Sequence, residues 1–532
     1  MHRNRHAQTR QIGESLKAGE SAIMRIRRPS LPQIPPALCL FLFLATIAGP
    51  WSGVVLSAGP NVLFIAIDDL NDCVGFLGGH PQVKTPNMDR LARRGVAFAN
   101  AHCAAPLCCP SRAAVFSGQQ PFTTGIYHNG PNIRKLHPNK VLMPQYFARH
   151  GYRTYGTGKL LHHSSQGLYD EYFVTEQRWS PLSGKEQVAY TREELLTKTT
   201  DPRHVIRFGP DKTEIVLPLN RMPSDRNPTG AKGESFDWGP FDVEDDDMGD
   251  GEITNWAIER LKRKADRPFF LAVGYYRPHI PLWAPRRYFD LYPEQSTILP
   301  KVLNNDLDDL GATAQRWALE PVTAGAHKTV VEHDQWKAAV AAYLACVSFV
   351  DAQIGRILDT LEDSPHRDST IIVIWGDHGW HLGEKQHWGK WTGWERATRV
   401  PLLIAPPRSA GSAYERGATC RRPVGLIDLY RTLIDLCGLP EKTDLDGQSL
   451  RPLLNDPKRE AEPIVIAFDH GNYCVRSDRW RLIRYKDGSE ELYDHRSDPH
   501  EWHNLAGDIQ YEQVKRNLAK HFPTSAAAPL GR

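Results

Sequence analysis

The sequence predicts an α/β fold: a large mixed, mostly parallel sheet sandwiched by helices, followed by a small C-terminal α+β subdomain built on an antiparallel sheet. Three observations carry this. Continuous apolar runs of buried-strand type at 61–67, 268–274 and 370–375 alternate with stretches of helical periodicity. Acidic residues follow two of these runs, Asp68 and Asp69 directly after the first and Asp377 after the last, which places them at strand carboxyl ends, where open α/β sheets bind ligands. Beyond about residue 456 the long runs give way to short alternating ones at 463–467, 473–476, 480–485 and 490–493, closed by a helical stretch at 511–521.

The remaining elements follow in chain order. Residues 1–58 read as a leader: Arg25, Arg27 and Arg28 precede the apolar run 37–48, and small residues recur up to Ala58. This predicts a signal peptide and an exported protein, periplasmic or secreted. The run is short for a span and is ended by Pro50 and Gly53, so no stable membrane insertion is expected. The catalytic domain is expected over 59–455 and the C-terminal subdomain over 456–532. Within the first, 85–95 reads as a turn entering a helix, 151–157 as a short strand, 253–264 as a helix and 336–361 as a long helix. Between about 165 and 250 lies a polar insertion of little periodicity, expected to be a functional loop or lid. Its acidic run 244–247 lacks the EF-hand pattern and reads as an acidic face ahead of the helix near Ile253.

Composition bounds the partners. The 532 residues carry a formal net charge of +3; seven Lys/Arg and two Asp/Glu lie in 1–58, so the rest of the chain stands at −2. Bulk charge gives no support to a nucleic-acid partner. Eight cysteines remain beyond the leader without regular spacing, which excludes a disulfide scaffold, although export makes a disulfide at Cys103 or Cys109 the expectation. A zinc knuckle at His102, Cys103, Cys108 and Cys109 lacks a second ligand pair.

The chemistry centres on Cys108-Cys109-Pro110-Ser111-Arg112, with Gly118 as a helix stop. Pro110 suits a first helical position, so Cys108 should face free N–H groups at a helix start, where a thiolate or an oxyanion is favoured. Arg112 adds a fixed fork of donors one turn on. Asp68, Asp69 and Asp377 converging in the same region call for a cation, and oxygen ligands suit calcium or magnesium.

The Cys-x-Pro-Ser-Arg run resembles the signature of type I, formylglycine-dependent sulfatases. Residues 61–69, Thr85-Pro86-Asn87-Met88-Asp89-Arg90-Leu91, Gly158-Lys159 and Asp377-His378-Gly379 stand in that family's order, and 270–281 and 377–390 look like its iduronate-2-sulfatase branch. The resemblance implies an alkaline phosphatase/sulfatase-like fold and conversion of Cys108 to formylglycine by a formylglycine-generating enzyme. It also implies one Ca2+ per chain on Asp68, Asp69, Asp377, His378 and residue 108. Arg112 would orient the formylglycine hydrate, and Lys159, His162, His279 and Lys390 match the remaining catalytic and sulfate-binding positions. One hydroxyl of the hydrate would attack sulfur and the second would let sulfate leave, with His279 protonating the departing alcohol. The expected substrate is a sulfated sugar. Tyr276, Arg277, Trp283, Trp380, Trp388 and Trp391 are candidates to line its pocket. Two rivals remain at this stage: a phosphodiester or phosphonate monoester hydrolase of the same superfold, marked by a second His-rich metal cluster, and an inactive glycan-binding homologue.

Overall fold

The computed structural model describes residues 59–174, 204–208, 213–217, 219–222, 236–321 and 325–531. The leader and much of the 165–250 insertion lie outside the described residues. Strand β1 (Asn61–Ile67) is the middle of an eight-stranded sheet. The other strands are β2 (Val96–Phe98), β3 (Arg153–Gly158), β4 (Glu171–Phe173), β5 (Phe269–Tyr275), β6 (Thr370–Gly376), β7 (Leu402–Ala405) and β8 (Ala418–Cys420). Their spatial order is β8-β2-β7-β6-β1-β5-β3-β4. Only β7 runs antiparallel to its neighbours, so the sheet is mixed and mostly parallel.

Period-two alternation in β1 divides the core. Leu63, Ile65 and Ile67 face one layer with α3 (Gly249–Leu261) and α5 (Trp336–Glu362), while Val62, Phe64 and Ala66 face the other with α2 (Cys108–Ser117) and α6 (Asp428–Leu436). Because both faces are covered, the strand is apolar throughout rather than alternating. The 27 residues of α5 span about 40 Å at 1.5 Å per residue. Among the described residues this helix alone is long and apolar enough to cross a membrane, with mean hydropathy 1.5, but 89% of that window is buried against the sheet. Its Asp351 accepts the N–H groups of Asn87 (3.1 Å) and Met88 (2.8 Å), capping α1 (Pro86–Ala92) from 264 residues away.

The helix expected at 253–264 starts four residues earlier, because Asp250 accepts the N–H groups of Tyr276 (2.9 Å) and Arg277 (3.0 Å) and so fixes the helix start to the end of β5. The acidic run ahead of it forms one 3-10 turn, Asp245–Asp247, and Asp245 binds the Tyr288 hydroxyl and Gln353 at 2.7 Å each. Of the insertion, a hairpin of His204–Phe208 and Thr213–Leu217 and the strand Trp238–Phe241 are described.

Four antiparallel strands follow in sequence order: β9 (Ile464–Asp469), β10 (Asn472–Arg476), β11 (Trp480–Arg484) and β12 (Glu490–Asp494). One face packs Phe468 and Ile483 with Trp394 and with α4 (Ala312–Leu319); the other packs Val475 and Leu482 with α7 (Glu512–Ala519). All eight described cysteines are free and buried. The expected disulfide is therefore absent: the Cys109 sulfur turns to the Pro131 carbonyl at 3.0 Å and the Cys103 sulfur to the Ala397 carbonyl at 3.9 Å, each inside its own packed surroundings.

Candidate active site

The register aligns the ends of four strands. Ile67 of β1 pairs with Gly376 of β6 and Tyr275 of β5, and Gly274 of β5 pairs with Gly158 of β3. The next residues, Asp68, Asp377, Tyr276 and Lys159, therefore emerge along one edge. Gly158 has φ +70, and a Cβ there would lie 2.0 Å from the Gly274 carbonyl oxygen, so this close approach requires glycine. The chain leaves β1 through Asp69 at φ +60, held by its N–H to Asp377 Oδ1 (3.0 Å) and by the Tyr343 hydroxyl, which donates to the Asp69 carbonyl at 2.7 Å.

Helix α2 points its first turn at this edge. Its N-cap is Leu107 and it starts at Cys108, so Pro110 is the third helical residue rather than the first; its missing N–H still falls among the donors a helix start leaves free. Asn129 accepts the Cys109 N–H at 3.0 Å, and Gly118 ends the helix at φ +69. Cys108 is 0% exposed. Around its sulfur stand Lys390 Nζ at 3.0 Å, His378 Nε2 at 3.2 Å and Lys159 Nζ at 3.6 Å, with His162 hydrogen-bonded to it. Burial pushes the thiol up, but Lys159, Lys390 and His378 outweigh it and hold the pKa well below the usual value.

Arg112 binds the edge together. Nε donates to Asp377 Oδ2 at 2.7 Å, a terminal nitrogen reaches Asp68 Oδ1 at 3.3 Å, and the other donates to the Lys159 and Leu160 carbonyls. Lys159 pairs with Asp68, and Lys390 with Asp69 at 2.6 Å. His279 Nε2 lies 3.9 Å from Asp69 Oδ2 and 4.0 Å from Asp68 Oδ2, while its Nδ1 faces the Ile280 carbonyl at 2.5 Å. Every site residue singled out in the sequence thus meets around residue 108. Ser111 stands in the Cys-x-Pro-Ser-Arg run but was given no role there; its hydroxyl donates to the Asp377 carbonyl at 2.5 Å, and Tyr343, which acts through the Asp69 carbonyl, leaves no motif.

The donor set fits a hard cation. Asp68, Cys108, Asp377 and His378 form one grouping of ligand atoms within 4.8 Å, and Asp68, Asp69, Cys108 and His279 form another. Asp69 Oδ2 is buried without a hydrogen-bond partner. Burial pushes Asp377 up to about 7 despite Arg112 and His378.

The pocket residues divide. Trp283, Trp380 and Trp388 are core: Trp283 donates to Asp237 and Trp388 to His327. Arg277 is also buried, with its guanidinium spent on the carbonyls of His279 (2.9 Å) and Trp283 (3.2 Å), so it supplies no charge to a pocket. Tyr276 is buried as well, and Trp391 remains partly exposed.

A buried nucleophile position flanked by two ammonium groups and a guanidinium, at the strand-end edge of an α/β sheet, defines a hydrolase of oxyanion esters. Residues 60–439 match the family described as Sulfatase, and residues 383–527 match N-sulphoglucosamine sulphohydrolase, C-terminal. The chain is 36% identical over 480 residues to a sulfatase of Formosa agariphila, covering 88% of this chain and 87% of the relative. It is 31% identical over 415 residues to human iduronate 2-sulfatase, covering 71% and 69%. A solved structure of BT4656 in complex with its substrate D-glucosamine-2-N,6-O-disulfate shares the fold, with a TM-score of 0.64 at 22% identity, covering 87% of this chain and 96% of that one. The chain belongs to the sulfatase family, and its activity is the hydrolysis of sulfate esters.

Proposed function

We propose that this sulfatase removes sulfate from a sulfated sugar, with Cys108 matured to formylglycine by a formylglycine-generating enzyme and one Ca2+ held by Asp68, Asp69, Asp377 and His378. The carrying observation is the fully buried residue 108 between Lys390 (3.0 Å), His378 (3.2 Å) and Lys159 (3.6 Å). A formylglycine hydrate at this position would supply a hydroxyl nucleophile and a second hydroxyl through which sulfate is released. Bound Ca2+ would supply positive charge against the sulfate oxygens. Lys159 and Lys390 neutralise those oxygens from two sides, and Arg112 holds Asp68 and Asp377 in place. His279, with Nδ1 against a carbonyl and Nε2 toward the carboxylates, would hand a proton to the departing alcohol, and His162 borders the same sulfur.

The human relative's name and the saccharide in the BT4656 structure support a sugar ester. Among the described residues the two ligand groupings at this edge share Asp68 and Cys108 and so form one centre, while the third grouping, Glu395, His495 and Glu501, is already paired with Arg476 and Arg481, which favours sulfate over a two-metal phosphatase reading. The basic and apolar leader supports export to a periplasmic or extracellular space.

The test is mass spectrometry of the peptide spanning residue 108, from protein made in its own host or with a formylglycine-generating enzyme. The expected mass is that of the aldehyde or its hydrate, with one equivalent of calcium by elemental analysis and loss of turnover in Cys108→Ala. An unmodified thiol, or full activity in Cys108→Ala, overturns the mechanism.

A further inference from the structure

A cavity of about 870 Å³ lies between α4, the segment just after Lys390 and the C-terminal sheet, a size ordinary for a small-ligand site. Trp391, Trp317 and His128 line it, with Arg316, Lys486 and Asp469 around them. The Trp391 ring lies 5.5 Å from Trp317 at 75° and 5.5 Å from His128 at 79°.

Two links tie this cavity to residue 108. Trp391 directly follows Lys390, whose ammonium lies 3.0 Å from the Cys108 sulfur. His128 directly precedes Asn129, which accepts the Cys109 N–H. Trp391 itself sits at φ +71, a left-handed backbone that bulky residues rarely adopt, and such strain gathers at functional sites. Its N–H is held by the Pro106 carbonyl (2.9 Å) and its indole N–H by the Phe468 carbonyl (2.6 Å), so the ring surface is what it offers a ligand.

The polar groups have both signs. Arg316 and Lys486 make no ion pair among the described residues, while Asp469 pairs with His128 at 3.3 Å. Aromatic surface beside donors and acceptors matches a polyhydroxylated ring, which has an apolar C–H face and hydroxyls that both give and take hydrogen bonds. A small inorganic anion would leave most of this volume and all of the ring surface unused.

We propose that this cavity is a second saccharide subsite, which takes the sugar unit next to the one bearing the scissile sulfate and makes the enzyme selective for oligosaccharides over single sugars. The inference rests on the sugar-sulfatase reading above. Binding energy from a remote unit would then be used at the reacting centre, so chain length should raise kcat/KM.

The experiment measures hydrolysis of 4-methylumbelliferyl sulfate, and desulfation of size-fractionated glycosaminoglycan and algal polysaccharide fragments of one, two and four sugar units. For the fragment class that is cleaved, kcat/KM should rise about tenfold or more from one unit to two, Trp317→Ala should remove most of that gain, and Trp317→Phe should restore much of it. Arg316→Ala, a change on an exposed side chain, provides the same comparison if Trp317→Ala fails to fold. Equal kcat/KM for one unit and two, or an undiminished gain in the Trp317→Ala and Arg316→Ala proteins, overturns the subsite while leaving the sulfatase reading intact. Cleavage of neither the aryl sulfate nor any fragment by formylglycine-bearing protein overturns both.

Discussion

Replacing Arg481 with Met removes the guanidinium that ties Glu395 to Glu501, two acids that His495 also touches. The guanidinium is 0% exposed, pairs with Glu501 Oε1 at 2.7 Å and with Glu395, and donates to the Gly393 carbonyl at 2.7 Å. Glu501 in turn accepts the Glu395 N–H at 2.8 Å, so the network joins β11 to the segment three to five residues beyond Lys390. Stripping a partner from a buried ion pair costs about 3–5 kcal/mol. Here Arg476 still lies 3.1 Å from Glu395 and His495 3.1 Å from Glu501, so neither acid is abandoned and the lower figure, about 3 kcal/mol, is expected. Unfolding entropy near about 2.1 cal/mol/K per residue gives about 1 kcal/mol/K for a folded chain of roughly 470 residues, so Tm should fall by about 3 °C. Calorimetry on the purified variant checks this, and the double variant with Glu501→Gln should recover part of the loss, since the two residues share one network. A Tm within 1 °C of the parent, in a protein that unfolds in one step, would refute the assignment of this network as a main tie between sheet and loop.

The same groups set an acid limit. Burial opposes ionisation of Glu395, yet Arg476, His495 and Arg481 hold its pKa well below 4.5; Glu501 is lowered against burial by Arg481 and His495. Folded values below the unfolded one mean that this stabilisation is fully present above about pH 4.5 and is lost as pH falls through the folded values, so the stability gap between parent and Arg481→Met should shrink on acidification in urea titrations. Lys390→Ala should cut kcat by about 100- to 1,000-fold, as loss of one oxyanion-facing donor does, measured on the best sulfate ester found. Gly158→Ala should unfold more readily than Gly151→Ala: both carry positive φ, but only at 158 does the new Cβ meet a backbone oxygen, at 2.0 Å, whereas nothing lies within 4 Å at 151. Strain alone costs about 1–2 kcal/mol, so thermal melts should show at least that at 151 and distinctly more at 158.

Local signals made the large sheet and most of the strand-end edge readable. A buried parallel strand needs apolar residues on both faces, so 61–67 and 370–375 stand out, and the acids that follow them inherit their position. Cys108 and Gly118 bracket α2 through helix-end chemistry that spans ten residues. What stayed hidden depends on partners far along the chain. Trp388 looked available for substrate, but it stacks on Trp238 at 6.2 Å and 20°, a neighbour 150 residues away. Arg277 looked like a pocket cation until the turn after β5 folded its own carbonyls around it. The side-chain cap on α1 comes from Asp351, because the hydroxyl of the N-cap residue Thr85 accepts the Gly75 N–H instead. The cavity beside Trp391 exists only once α4 and β10 are brought to the same place, and neither carries a motif.

Arg112 has one further consequence. Its three nitrogens engage segments that follow β1, β3 and β6, from a helix that lies on one face of the sheet. None of those segments can loosen alone without stranding a buried carboxylate or carbonyl. The strand-end edge therefore opens as one cooperative unit, and fluctuations mild enough to spare the sheet leave the catalytic geometry whole.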